Sequence, residues 1–187
     1  SNPMAISLDI QMACPSEEAP EEDSMQRWAS AALRDERDNA ELSVRIVDER
    51  ESATLNQQYR GRAGSTNILS FPFDAVTPEP LPMLGDLVIC APVVVREAAE
   101  QNKPLEAHWA HMCVHGVLHL LGYDHVGDRD AEVMETLETD ILLGLGFPAT
   151  LSCLPVSYST LTLSSFTIPV ICIFFFIYCS FFLTVHT

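Results

Sequence analysis

Apolar residues between residues 5 and 147 recur with two different periods, which predict a sheet interleaved with helices. Alternation of apolar and polar residues in "SLDIQMAC" and "ELSVRIVDE" is typical of half-buried strands. The apolar segments "NILSFPF" and "GDLVICAP" predict two more strands, separated by a proline-rich loop over residues 75–84. The strand pattern therefore predicts a small four-stranded sheet.

Helical spacing is first found in a cluster of apolar residues, namely Met25, Trp28, Ala29, Ala32 and Leu33. Asp23 or Ser24 is available as the N-cap of this helix. Further helices are predicted over residues 52–60, 92–101, 104–121 and 128–145. Because strands and helices are mixed along the chain and the helices concentrate late, we expect an α/β or α+β fold, with a small mixed sheet packed against helices.

Histidines dominate the predicted helix over residues 104–121. Pro104 suits the first position of a helix and Gly122 its C′ position, so both ends carry boundary signals. His115 and His119 are one turn apart on one face, and a reversal at Gly122 can return His125 toward them. Three imidazoles leave one position of a tetrahedral zinc ion open for water, which implies catalysis. The alternative is that these histidines are core or surface residues without a metal.

The spacing H-x3-H-x2-G-x2-H is also that of zinc proteases, but the residue after the first histidine is Gly116. Because glycine cannot act as a general base, peptide hydrolysis of the usual kind requires a carboxylate from elsewhere. Asp124 is the nearest acid; it either orients a ligand imidazole or stabilises the turn. Phosphodiester cleavage instead requires a Lewis acid and a cation that stabilises the developing charge.

A candidate cation lies in "YRGRAGSTN". The net charge of −16 argues against a protein that grips nucleic acid with its whole surface. No acidic residue occurs between Ser52 and Phe73, however, while Arg60 and Arg62 are two positions apart. Zinc together with Arg60 could act on a phosphodiester, because the guanidinium fork matches two phosphate oxygens. The alternative is a solvated loop whose arginines have no specific role.

Several other residues near the histidines have simpler interpretations. His111 is expected to pack or to support a ligand, with assistance of proton transfer as the alternative. Cys113 is expected in the core. Asp86 either hydrogen-bonds near the site or begins a strand. The acids of the last helix are expected to form its solvated face, and these are Asp128, Asp130, Glu132, Glu135 and Glu138.

The composition changes abruptly after Pro148. All 36 charged side chains precede Thr150, so we expect one catalytic domain over residues 1–149 and an uncharged apolar tail over residues 150–187. Residues 166–185 are long enough to cross a bilayer, but they contain Pro169 and have no flanking Lys or Arg. A membrane segment and an aberrant terminus both stay open. The six cysteines form no C-x-x-C pair, which favours reduced thiols and a cytoplasmic location.

Three segments together closely resemble the bacterial YbeY family of zinc-dependent endoribonucleases: "HWAHMCVHGVLHLLGYDH", "LNQQYRGRAGSTNILSFPF" and "LGDLVIC". The resemblance covers roughly residues 41–147. It implies one zinc ion per chain held by His115, His119 and His125, with Arg60 and His115 as catalytic residues.

The resemblance further implies a small α/β sandwich with a central histidine helix. The implied substrate is single-stranded RNA. The implied roles are maturation of ribosomal RNA, notably at the small-subunit 3′ end, and ribosome quality control. The implied partners are the ribosome or its associated proteins. Two departures stand out, the apolar tail and the Ala63–Gly64 pair, where many relatives carry charged residues. Arg62 is the candidate that compensates for the second.

Two other functions remain compatible with the residues. One is a zinc protease or other metallohydrolase whose base lies outside the histidine motif. The other is a ribosome-assembly factor with a structural zinc ion, for which chelation unfolds the domain and no substrate turns over.

Overall fold

The computed structural model describes residues 5–34, 39–73, 81–124 and 127–148, all within the unit Ser1–Leu154. The strands are β1 (Ala5–Met12), β2 (Asn39–Val47), β3 (Ile68–Pro72) and β4 (Met83–Cys90). The helices are α1 (Glu22–Leu33), α2 (Glu49–Arg60), α3 (Ala91–Glu100), α4 (Leu105–Leu120) and α5 (Asp128–Gly144). Each predicted strand and helix is therefore present, with ends that differ by a few residues.

The four strands form one mixed sheet in the order β1-β2-β4-β3. β1, β2 and β4 run parallel, whereas β3 pairs antiparallel with β4 at one edge. Parallel neighbours require a crossover connection, and α1 lies between β1 and β2 in the chain. The α/β fold with a small mixed four-stranded sheet is thus confirmed.

One face of the sheet carries the main core. Leu42, Val44 and Ile46 alternate along β2 with more exposed residues, and they pack in one cluster with α1, α4 and α5. The other face holds a smaller cluster that includes Val47, Val88 and Leu69. All five apolar residues that predicted α1 are buried. The predicted N-cap of α1 was wrong, because Glu21 occupies that position and its side chain makes no capping bond.

The histidine helix α4 is the central helix. Ten of its 16 residues are buried, as expected for a helix packed on several sides. Pro104 was predicted as the first residue of the helix and is its N-cap, so the helix begins one residue later, at Leu105. Gly122 follows the C-cap Leu121 and has a φ of +98°. That left-handed conformation favours glycine and lets the chain reverse after the helix.

The predicted boundary near residue 150 and the apolar tail lie outside the described residues, so both stay predictions. No helix among the described residues has the length and apolar character needed to span a membrane.

Candidate metal centre and anion pocket

Four histidines form a row along α4. The ring centroids of His108 and His111 are 6.3 Å apart, those of His111 and His115 are 6.2 Å apart, and those of His115 and His119 are 4.5 Å apart. His108 is buried, whereas the other three are half-buried at spacings of four residues. The row therefore lies on one stripe of the helix that opens toward solvent near its C-terminal end.

His115 and His119 direct the same ring nitrogen toward one another. Their Nε2 atoms are 3.1 Å apart. The Nδ1 atom of His115 lies 2.6 Å from Oε1 of Glu138, and Nδ1 of His119 lies 2.9 Å from the backbone oxygen of Tyr123. Each imidazole is thus oriented through Nδ1, and the two Nε2 atoms face each other.

The acceptors at Nδ1 determine which ring nitrogen of His115 and of His119 carries a proton. Burial opposes ionisation of Glu138, but hydrogen bonds from His111 and His115 outweigh it and lower its pKa to about 2. The ionised carboxylate and the Tyr123 carbonyl can only accept hydrogen bonds, so both Nδ1 atoms carry protons. The two Nε2 atoms, 3.1 Å apart, can then share a proton or bind one cation. Two nitrogens bound to one tetrahedral zinc ion are about 3.3 Å apart, close to the observed separation.

A second grouping shares His115. One ligand atom from each of His111, His115 and Glu138 lies within 4.8 Å of the others, and this group could hold a metal ion. The 2.6 Å distance between Glu138 and His115 is a hydrogen-bond length, which favours a carboxylate that orients the imidazole rather than one that binds a metal directly. His115 belongs to both groupings that could hold a metal ion.

Two sequence predictions at this centre have different outcomes. His125 lies outside the described residues, so its role as third ligand stays a prediction. Glu138 was wrongly assigned to the solvated face of α5, because only 7% of it is exposed. The signal was present in the sequence: Met134, Glu138 and Ile141 follow helical spacing, and both apolar neighbours are buried.

Gly116 faces the sheet. A Cβ atom at this position would lie 2.7 Å from Cδ1 of Ile68 and 2.7 Å from Cδ2 of Leu87. A side chain at residue 116 would therefore displace the ends of Ile68 and Leu87. The same holds for the glutamate that zinc proteases carry at this position of the motif.

A pocket of about 490 Å³ adjoins the histidine pair. Its lining residues come from α2, the following loop, β3 and the end of α4, namely Arg60, Arg62, Asn67, Ile68, Ser70, His115, His119 and Asp124. The predicted catalytic residues Arg60 and His115 thus line one pocket. Asp124 lines it as well, near the histidines.

The arginines make part of the pocket lining cationic. Arg60 ends α2, and Gly61 caps the helix in a left-handed conformation with φ +65°. Among the described residues, neither the Arg60 nor the Arg62 side chain forms an ion pair, unlike Arg45 and Arg96. Burial, and then the charge of Arg62, lower the pKa of Arg60. An anion in the pocket would relieve this repulsion.

Hydrogen bonds hold the arginine loop in place. Ser52 Oγ donates to the backbone oxygen of Thr66 at 2.8 Å and accepts from its N–H at 2.9 Å. Asn56 Nδ2 donates to the Gly64 backbone oxygen at 2.9 Å. Both side chains are buried on α2, so this helix fixes the shape of the loop.

A partly buried polar network ties the pocket wall to α4. Asn67 Nδ2 donates to both carboxylate oxygens of Glu97, at 3.3 and 3.2 Å. Glu97 also lies 2.8 Å from Nε2 of the buried His108. Neither Glu97 nor Asn67 was singled out from the sequence, because their partners are distant along the chain.

The remaining sequence predictions concern three residues. Cys113 is buried in the core as expected, and burial raises its pKa to about 12. His111 contacts Glu138 at 3.2 Å, which agrees with a supporting role. Asp86 lies within β4 and lines a separate groove beside Arg45, so it does not line the histidine pocket.

Comparison with known proteins assigns this chain to a family. The family model described as "Endoribonuclease YbeY" matches residues 11–146. The chain is also similar to the solution structure of protein TM1509 from Thermotoga maritima, with 25% identity and a TM-score of 0.53; the match covers 74% of this chain and 87% of that one. The protein therefore belongs to the YbeY family of endoribonucleases, and its membership supports a role in the processing of ribosomal RNA.

Proposed function

We propose that this protein is a zinc-dependent endoribonuclease that cleaves single-stranded RNA in the cytoplasm. Its proposed roles are maturation of the small-subunit ribosomal RNA 3′ end and ribosome quality control, with ribosome-associated proteins as partners. One zinc ion per chain is held by His115, His119 and His125. The observation that carries the proposal is the single pocket shared by the facing Nε2 pair and the two arginines.

Some residues of the pocket bind the metal, and others bind the substrate. A bound zinc ion supplies Lewis-acid activation of a phosphoryl oxygen or of water. Glu138 and the Tyr123 carbonyl hold the His115 and His119 rings in the tautomer that binds metal. Arg60 and Arg62 bind the phosphate and stabilise the charge that develops on its oxygens.

The experiment compares three variants: His115→Ala, Arg60→Ala and the control Arg50→Ala. Metal content is measured by mass spectrometry, and cleavage is measured on single-stranded and duplex RNA. His115→Ala is expected to lose metal and cleavage together. Arg60→Ala is expected to keep the metal and to lose about 100- to 1000-fold in kcat, as for removal of one charge-stabilising donor. Arg50 is an exposed residue of α2 outside the pocket, so its variant is expected to cleave normally.

Other results would favour the other functions. Full cleavage by Arg60→Ala would remove the role of that arginine. Chelator-sensitive cleavage of peptides without cleavage of RNA would support a protease, whose base would lie outside the histidine motif because residue 116 is glycine. Unfolding on chelation, with no turnover of RNA or peptide, would indicate a structural zinc ion.

A further inference from the structure

A second concave surface lies on the other side of β3 from the anion pocket. This surface, here called the Tyr59 groove, has a volume of about 480 Å³, within the range of sites for small organic groups. Tyr59 and Leu55 from α2 form one wall, and Phe71 and Val88 from the sheet contribute the other apolar residues. Arg45, Glu51 and Asp86 add polar atoms. Nothing in the proposed cleavage mechanism uses this groove.

The aromatic pair in the groove is unusually open to solvent. The Tyr59 ring contacts Phe71 edge to face, with centroids 5.0 Å apart, and 59% of Tyr59 is exposed. A tyrosine that serves only the core buries more of its ring, because aromatic side chains contribute to stability mainly through buried area. The exposed ring therefore provides a surface on which a flat ligand can stack.

The groove and the anion pocket are adjacent along two chain segments. Tyr59 immediately precedes Arg60 at the end of α2, and Phe71 immediately follows Ser70 on β3. Successive side chains of a strand point to opposite faces, so Ser70 lines the pocket while Phe71 lines the groove. Since β3 is an edge of the described sheet, a linear ligand bound at the arginines can continue around this strand to Tyr59.

The charges of the groove select which part of such a ligand enters it. Arg45 is paired with Glu51 at 2.7 Å, so its charge is already compensated, and Asp86 adds a carboxylate. This surface repels phosphate but accepts a neutral aromatic ring. The anion pocket has the opposite preference, with two arginines that form no ion pair among the described residues.

We propose that the Tyr59 groove is a nucleobase subsite, in which one unpaired base of the RNA stacks on Tyr59 while its neighbouring phosphates lie at Arg60 and Arg62. The inference rests on the proposed function, since it requires an RNA strand in the anion pocket. It also supplies a physical reason for a preference for single strands, because a base in a duplex is stacked and paired and is not available to the groove.

The test places a fluorescent ring in the groove of the metal-loaded protein. In Tyr59→Trp the new indole is exposed, whereas the natural Trp28 and Trp109 are buried and are shielded from RNA. Short single-stranded RNA is expected to quench the new indole on mixing, before cleavage. Inorganic polyphosphate carries charge but no bases, so it is expected to leave the fluorescence of Tyr59→Trp unchanged. Leu143→Trp is the matched control, because Leu143 is exposed on α5 and belongs to the opposite side of the sheet.

Binding of RNA by unlabelled variants gives the second readout. Tyr59→Ala is expected to raise Kd by about 5- to 100-fold, the range supplied by stacking of one base, whereas Tyr59→Phe stays within about twofold of the wild type. The subsite proposal is overturned if polyphosphate or duplex RNA quenches Tyr59→Trp as strongly as single-stranded RNA does. It is also overturned if Tyr59→Ala binds RNA with the Kd of a wild type that cleaves RNA. If the wild type neither binds nor cleaves RNA, the proposed function itself fails.

Discussion

Replacing Gly116 by alanine tests the steric explanation for the missing glutamate. The added Cβ atom lies 2.7 Å from Ile68 Cδ1 and 2.7 Å from Leu87 Cδ2, and both side chains are buried. Such contacts force side chains or the helix to shift, and overpacking of this kind costs about 1–3 kcal/mol. Alanine gains about 1 kcal/mol over glycine in a helix interior, so the net effect on the free energy of unfolding is expected between about 0 and −2 kcal/mol.

A control variant separates the cost of overpacking from the gain in helix propensity. Gly144 also lies in a helix, and no atom lies within 4 Å of a Cβ built there. Gly144→Ala is therefore expected to raise the free energy of unfolding by up to about 1 kcal/mol. Gly144 is the last residue of α5, where helix propensity counts less than in the interior, so the difference between the two alanine variants gives a minimum for the steric cost at Gly116.

The assay is urea unfolding at constant metal concentration, followed by the fluorescence of the buried residues Trp28 and Trp109. Ile68→Val removes one of the contacting methyl groups. In the Gly116→Ala background it is expected to cost less than the roughly 0.5–1.5 kcal/mol it costs alone, because it also relieves the contact. If Gly116→Ala stabilises the protein as much as Gly144→Ala does, the steric explanation is wrong.

Two further predictions concern the carboxylates that contact the histidines. Glu138→Gln is expected to weaken metal binding about 10- to 100-fold, because the ring of His115 loses its charged acceptor. Competition with a chromogenic chelator measures the metal affinity. The prediction is contradicted if Glu138→Gln binds metal as tightly as the exposed control Glu135→Gln. For Glu97, burial opposes ionisation, but hydrogen bonds from His108 and Asn67 outweigh it and lower the pKa. The ionised form then stabilises the fold above the ordinary pKa of 4.5, and this contribution is lost as the pH falls below that value. Glu97→Gln should therefore destabilise the protein more at pH 7 than at pH 3 in urea unfolding, and an equal loss at both values would exclude the charged interaction.

The local features of α4 could be read directly from the sequence. Gly122 marks its end through a left-handed conformation, which is a property of one residue and needs no tertiary contact. The approach of His115 to His119 follows from the helical repeat, because residues four apart lie on one face. Strands β1 and β2 were also predictable from a local repeat, because alternation of apolar and polar residues indicates which side of a strand is buried.

The tertiary structure decided which residues act together across long stretches of chain. Glu138 reaches His115 only because α5 packs against α4, and its charge made it resemble a surface residue in the sequence. The contact of Gly116 with the sheet depends on how helices lie on strands, and so does the pocket that Arg60 shares with the histidines. The sequence by itself determined the helices, the strands and the type of chemistry, because these depend on local backbone preferences and side-chain identity. The orientation of the imidazoles and the shape of the pocket required the packed fold, because those contacts join residues that local sequence cannot relate.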